Sequence, residues 1–276
     1  MTRPAIINDI DFAELYRNHI QLASRESKTA QDWDQKAEKM LQNPNDFRDG
    51  FRDDYVNAFL AKMDLRPNDS VLDVGCGGGA IGLSLASAVK QVYALDFSEK
   101  MLDVVKTRAQ QLAIDNVTPM LKSWYDDWQD VPECDICVSS RSSMVNDLAD
   151  ALHKLNSKAK RAVYMTMTVE KDFIASDILR AIGRDSVGFP SYIYAINLLH
   201  QQGYQVKVDF IQSHYGMTQV PADEWNEKAF IRSVAWSIGQ LNEQEIAKLK
   251  RYFAEQHPRS SYLPQRQWAF LSWQKR

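Results

Sequence analysis

The sequence predicts an α/β chain: a mostly parallel sheet of about seven strands with helices on both faces. A helical cap precedes the sheet, and a helical insertion precedes its last strand. Three observations carry this reading. From residue 70 onward, short apolar runs alternate with amphipathic stretches of helical period, the pattern of a sheet covered by helices. A strand, a glycine-rich turn and a helix follow one another over residues 70–89. Residues 267–273 then read as a strand cut off from its predecessor by helical sequence.

The elements follow in order. Residues 11–24 place Phe12, Leu15, Ile20 and Leu22 at helical spacing, and residues 29–40 continue as helix until Asn43-Pro44-Asn45 interrupts. Phe51, Tyr55, Phe59, Leu60 and Met63 recur along a further helix. Strands are predicted at 70–74, 91–96, 116–122, 135–139, 161–168 and 204–213. Helices are predicted at 79–89, 99–112, 147–155, 171–182 and 191–202, with Ser98 a natural N-cap. Helical patterns return at 228–240 and 243–255. The chain therefore divides into a cap (1–64), a core (65–215), an insertion or lid (216–260) and a last core strand (261–276).

Composition bounds the function. The 276 residues suffice for one large domain with accessory parts. No apolar run is long enough to span a bilayer and the N-terminus lacks a signal-peptide pattern, so a cytoplasmic protein is expected. A net charge of −3 speaks against a large basic nucleic-acid footprint, and no DNA partner is expected. Three cysteines and no secretion signal argue against a disulfide framework. Cys134 and Cys137 form a CxxC pair, but they lie in a predicted buried strand without a second pair to complete a zinc site, and no metal is expected.

The glycine-rich turn carries the functional argument. Glycines permit a tight turn and a close approach of backbone to ligand, and the following helix offers free N–H groups. Gly75-Cys76-Gly77-Gly78-Gly79-Ala80 fits a dinucleotide loop, yet Asp73 stands where such loops carry an apolar residue. A carboxylate there repels a pyrophosphate and attracts an amino group. Val71-Leu72-Asp73-Val74-Gly75-Cys76-Gly77-Gly78-Gly79 resembles the first motif of the class I S-adenosylmethionine-dependent methyltransferases, and Ala94-Leu95-Asp96-Phe97-Ser98-Glu99-Lys100-Met101-Leu102 resembles their second. The likeness is good over about residues 65–168 and architectural elsewhere.

The resemblance implies a Rossmann-like fold, S-adenosyl-L-methionine as cofactor and S-adenosyl-L-homocysteine as product. It implies that Asp73 organises the loop and faces the methionine amino group, directly or through water. Gly75, Cys76 and Gly77 would pass beneath the methionine and ribose, and Gly79 would allow close packing at the helix start. Asp96 would accept both ribose hydroxyls, with Phe97 and Met101 flanking the adenine. The third motif departs from the family: Lys122-Ser123-Trp124 replaces Gly-Asp-Ala, so Ser123 and Trp124 are the adenine candidates, or else Trp124, Tyr125 and Trp128 cover the sheet edge. Ser139 and Arg141 end the fourth strand beside the transferable methyl group. Arg141 there binds the methionine carboxylate or an acidic substrate, or else caps its loop or pairs with Asp147. Asp32-Trp33-Asp34-Gln35-Lys36-Ala37 resembles a segment that folds over the cofactor, so Trp33 and Lys36 either close the pocket or belong to an ordinary helix.

Methyl transfer from a sulfonium needs positioning more than acid–base chemistry, so no catalytic residue can be named from sequence. His214 follows a strand and could reach a pocket, but a packed or surface histidine is the commoner outcome. Phe189, Tyr192 and Tyr194 wall a pocket or form core, and Asp126, Asp127 and Asp130 read as a solvated loop. The expected function is methyl transfer to a small-molecule acceptor in an enclosed site. The competing readings are transfer to RNA or protein, non-catalytic cofactor binding, and a nicotinamide-dependent oxidoreductase. Oligomeric state is open.

Overall fold

The computed structural model describes residues 6–23, 27–42, 53–184, 187–213, 225–258, 260–261 and 266–275. His214, the 43–45 interruption, Phe51 and the first part of the 216–260 insertion lie outside these residues. Seven strands form one sheet: β1 (Ser70–Val74), β2 (Gln91–Asp96), β3 (Val117–Leu121), β4 (Cys134–Ser139), β5 (Ala159–Thr168), β6 (Lys207–Ser213) and β7 (Arg266–Gln274). Their order is β3-β2-β1-β4-β5-β7-β6. Only β7 runs antiparallel to its neighbours, pairing Tyr164 with Ser272 on one side and Val208 with Leu271 on the other. The expected mostly parallel α/β architecture is therefore what the chain adopts.

Ten α-helices are described: α1 (Phe12–Leu22), α2 (Ala30–Gln42), α3 (Asp54–Leu60), α4 (Ala80–Leu85), α5 (Glu99–Gln111), α6 (Leu148–Lys158), α7 (Ser176–Ile182), α8 (Ile193–Gln201), α9 (Glu227–Ile238) and α10 (Glu243–Gln256). Successive strand residues point to opposite faces of a sheet. Leu72, Val74, Cys137 and Val163 accordingly join α1, α6 and α8 residues such as Tyr16, Leu152 and Leu199 in one core. Val71, Val92, Ile136, Val138 and Ala162 join Tyr55, Phe59, Ile81 and Leu85 of α3 and α4 in the other. Cys134 and Cys137 are buried free thiols of β4, pushed up by burial, Cys134 to about 11. Among the described residues, no helix is long and apolar enough to cross a membrane.

Some boundaries differ from the sequence reading. The helix after β1 stops at Leu85 and tightens into a 3-10 turn over Ala86–Ala88. Asn116 Nδ2 donates to the Ala86 and Val89 carbonyls at 2.8 and 3.1 Å, satisfying the helix end. Helix α7 begins at Ser176, later than the predicted 171.

Helices of the predicted insertion pack with residues from outside it. Ile174, Ile178, Leu179 and Ile182, from before β6, pack with Phe230, Val234 and Leu249 of α9 and α10. Arg184 fastens this unit: Nε and Nη2 reach Glu245 at 2.6 and 3.0 Å, and Nη1 and Nη2 reach the Ile238 and Gln240 carbonyls at 3.0 and 2.6 Å. Four charge-assisted bonds from one planar group hold the α9–α10 turn. Arg184→Met is expected to speed thermolysin cleavage within residues 238–243 several-fold at unchanged overall melting temperature. A cleavage rate equal to wild type would show the clamp to be dispensable.

Candidate cofactor and methyl-transfer site

Strand order reverses at β1, between β2 and β4, and ligands of open α/β sheets bind beyond the carboxyl ends of strands at such a point. Two loops meet there. After β1, the Gly75 and Cys76 N–H groups donate to the Leu95 carbonyl at 2.7 and 3.0 Å, folding the glycine turn onto β2. After β4, Ser142 Oγ donates to the Val74 carbonyl at 2.7 Å and lies 2.9 Å from Ser139 Oγ, tying the fourth strand's loop to the first strand's end. Gly75, Gly77 and Gly79 take φ of +67°, +52° and +81°. The reason for glycine differs between them. A Cβ at Gly75 meets Ser142, and one at Gly79 meets Leu83 and Val105, whereas one at Gly77 meets nothing within 4 Å. The apex of the turn therefore faces open space.

Two carboxylates flank the turn. Asp73, 1% exposed, accepts the Gly82 N–H of α4 at 2.9 Å. Burial pushes its carboxyl up to about 7, against the Gly82 bond and with help from the Asp96 charge. Asp96 Oδ2 accepts the Gly77 N–H at 2.8 Å and Oδ1 the Ser98 N–H at 3.0 Å. Burial raises its carboxyl too, opposed by these backbone donors. Each oxygen keeps a further lone pair for a hydroxyl donor. Arg108 Nη1 donates to the Gly78 carbonyl at 2.6 Å and braces the turn from α5.

A raised carboxyl pKa makes Asp73 favour folding while it is protonated. That contribution is full below the ordinary value of 3.8 and is lost as pH rises through about 7. Asp73→Asn keeps an oxygen acceptor for Gly82 and cannot ionise. It is expected to lose less stability than wild type between about pH 5 and 8, by a few kcal/mol in urea titrations. Parallel stability curves for the two proteins would refute a buried, titrating Asp73.

The cap reaches this end of the sheet. Asp34 of α2 accepts Ser98 Oγ at 2.6 Å and the Lys100 N–H at 3.3 Å, pinning α2 to the start of α5. Ser98 is the N-cap expected, accepting the Met101 N–H at 3.1 Å. Trp33 meets Trp236 of α9 edge-on, ring centroids 5.9 Å apart, which joins cap to lid. Lys36 Nζ lies 4.9 Å from the Trp33 ring centroid.

Asp73, Asp96, the glycine turn, Ser139 and Arg141 thus gather at one sheet end, and Trp33 packs beside it against Met101 and Val104 of α5. The other candidates are engaged within the chain. The Cys76 side chain packs with Leu83, Leu102 and Val105, so its backbone alone belongs to the turn. Met101, 2% exposed, packs with Ala37 and Val104 under α2, while Phe97 remains 36% exposed. Ser123 Oγ accepts the Tyr125 N–H at 3.1 Å. Trp124 stacks on Trp128 at 5.4 Å and donates to the Ser142 carbonyl at 3.0 Å, bracing the β4 loop. Arg141 does not pair with Asp147, which is bound to Arg17 at 3.1 Å; its guanidinium lies 4.1 Å from the Tyr55 ring centroid. Phe189, Tyr192 and Tyr194 separate into contacts with Phe173, Phe210 and Tyr16. Sequence reasoning did not bring Tyr55 beside Arg141 or Trp236 beside Trp33, because aromatics at helical spacing read as core.

Comparison with known proteins agrees. The methyltransferase domain family matches residues 71–163. An uncharacterised protein of Haemophilus influenzae is 36% identical over 269 residues, covering 97% of each chain. A "probable cobalt-precorrin-6B C(15)-methyltransferase (decarboxylating)" of Methanothermobacter thermautotrophicus is 32% identical over 122 residues, 43% of this chain and 62% of its own length. The solved S-adenosylmethionine-dependent methyltransferase of Geobacter sulfurreducens, in complex with S-adenosyl-L-homocysteine, shares the fold at TM-score 0.52 and 16% identity, covering 80% of this chain and 90% of that one. With the two motifs at the ends of β1 and β2 and the antiparallel β7 beside β5, the chain belongs to the class I S-adenosylmethionine-dependent methyltransferases.

Proposed function

We propose that the protein methylates a small-molecule acceptor held in an enclosed site above the ends of β1, β4 and β5. The observation that carries this reading is the double cover. Helix α2 is pinned by Asp34 to Ser98, just beyond the end of β2, and Trp33 of the same helix meets Trp236 of α9. A site roofed from two sides excludes water and suits a compact ligand.

The residues at the turn fit S-adenosylmethionine. The Gly77 apex leaves room where a side chain would intrude, and the two acids suit a cationic amino group and a diol. When bound, the cofactor supplies an already activated methyl group on its sulfonium. Asp96 accepts the ribose hydroxyls through its free lone pairs. Asp73 holds the loop through Gly82 and offers a carboxyl oxygen toward the amino group, whose positive charge favours the ionised form. Gly75, Cys76 and Gly77 contribute backbone, and Gly79 lets the helix start pack closely on Val105. Phe97 offers a face to the adenine, Met101 supports it from beneath, and Ser123 and Trp124 border its edge. Ser139 and Arg141 border the methyl-transfer end, and Trp33 closes it. Catalysis on this reading is positioning and water exclusion. Three free thiols suit the cytoplasm as the compartment.

Incubation with a cell extract and cofactor labelled in its methyl group tests the reading. Label is expected in the low-molecular-weight fraction. Label only in RNA or protein would overturn the small-molecule assignment.

A further inference from the structure

Helices α2 and α9 touch each other but are fastened at different strands. Helix α2 is fastened beyond β2. Asp34 accepts Ser98 Oγ at 2.6 Å and the Lys100 N–H at 3.3 Å, and Ala37 packs on Met101 and Val104 of α5. Ser98 in turn donates its N–H to Asp96 at 3.0 Å. Helix α9 belongs to the unit that leaves β5. Arg266, the first residue of β7, donates through Nη2 to the Asp172 carbonyl at 3.3 Å, which keeps the segment after β5 beside β7. Ile174, Ile178 and Leu179 then pack with Phe230 and Val234 of α9, and Ser233 Oγ lies 2.6 Å from Ser261 Oγ. In the sheet, β1 and β4 lie between β2 and β5.

The contact that joins the two helices is aromatic. Trp33 meets Trp236 edge-on, ring centroids 5.9 Å apart. Lys28 Nζ lies 4.4 Å and Lys36 Nζ 5.9 Å from the Trp236 centroid. Edge-on ring contacts and cation–π contacts are individually weak, and an ammonium that leaves a ring is readily hydrated. The fastenings on either side are of a stronger kind. Asp34 and Arg184 make charge-assisted hydrogen bonds, and Ala37, Phe230 and Val234 are fully buried. Well-packed units separate first where weak contacts join them. Trp236 itself is only half-buried, so the joint can part while the packed face of α9 stays in place.

We propose that α2 and α9 form a strap across the ends of β1 and β4, and that the Trp33–Trp236 joint parts to let the cofactor in and out. Those two strand ends carry the glycine turn and the Ser139–Arg141 loop. The strap governs the cofactor because α2 is fastened, through Ser98, to Asp96, the acceptor for the ribose. It rests on the enclosed-site reading above.

The test is the exchange of S-adenosylhomocysteine on the full chain. Association is read by stopped-flow tryptophan fluorescence, and dissociation by release of radiolabelled ligand into an excess of unlabelled ligand. Trp236→Ala, verified as folded by circular dichroism, is expected to speed both steps about tenfold and to hold the dissociation constant within about threefold. A merely structural tryptophan would lower affinity through dissociation alone. Trp33→Cys/Trp236→Cys allows the strap to be locked. The native cysteines are buried, so a bismaleimide with a disulfide in its spacer joins the two new thiols, a link confirmed by mass. Locked after saturation, the protein is expected to release ligand at least about tenfold more slowly than before linking, and reduction to restore the faster rate. Wild-type rates in Trp236→Ala, or a locked protein that releases ligand as fast as the reduced one, would overturn the strap. The two readings fail separately: extract label confined to macromolecules sinks the small-molecule acceptor and leaves these rates standing.

Discussion

Asp96→Ala is expected to weaken S-adenosylhomocysteine binding by roughly 100-fold or more, because two hydrogen bonds to an ionised acceptor contribute about 1.5–3 kcal/mol each. The side chain sits between the turn and α5, with one oxygen on Gly77 and the other on Ser98. Its removal takes away the diol's acceptors and also frees the apex of the turn. Asp96→Asn separates these effects: it keeps one acceptor oxygen and loses the charge, so an intermediate affinity is expected. Calorimetric titration with S-adenosylhomocysteine, S-adenosylmethionine and NAD reads both variants. Unchanged affinity in Asp96→Ala would remove the residue from the site, and tight NAD binding by the wild type would remove the cofactor assignment.

Gly75→Ala is expected to destabilise the protein by about 2–4 kcal/mol in urea unfolding, the sum of a left-handed backbone strain and an overpacked contact. The built Cβ lies 2.4 Å from Ser142 Cβ, and the chain cannot retreat because Ser142 Oγ holds the Val74 carbonyl. Adding Ser142→Gly clears the clash but leaves φ at +67°, so the double variant is expected to recover part of the loss. Additive losses in the double variant would mean that the two loops do not touch. Gly77→Ala is the contrast. Nothing opposes its Cβ, so its fold is expected to survive better while cofactor affinity falls.

These variants also show what the sequence carried. The glycine turn was legible because its requirement is local: three positive φ values at Gly75, Gly77 and Gly79 permit few other residues. Asp73 and Asp96 were legible because each ends a strand whose apolar run is itself visible. The strand and helix alternation was legible because burial on two faces imposes periods that sequence retains. The lid was read only in part. Its hydrophobic seam joins residues 174–182 to 230–249, across β6, and no local pattern announces such a pairing.

The aromatic and charged groups of the methyl-transfer end were least legible. Tyr55 fits a helical apolar stripe, and its hydroxyl gains meaning only when Ser140 and Thr166 come within hydrogen-bonding reach. Arg141 and Tyr55 are 86 positions apart, so the contact of the guanidinium with the ring exists only in the folded chain. Met101 and Trp124 each fell at a motif position by sequence, and tertiary packing adds contacts that no local pattern announces, of the one with Ala37 and of the other with Ser142. By itself, then, the sequence determined the class of fold and the cofactor turn, since backbone conformation and burial period are short-range properties. Tertiary structure decided which side chains gather beyond the ends of β4 and β5, because contacts between distant segments depend on how the helices are docked on the sheet.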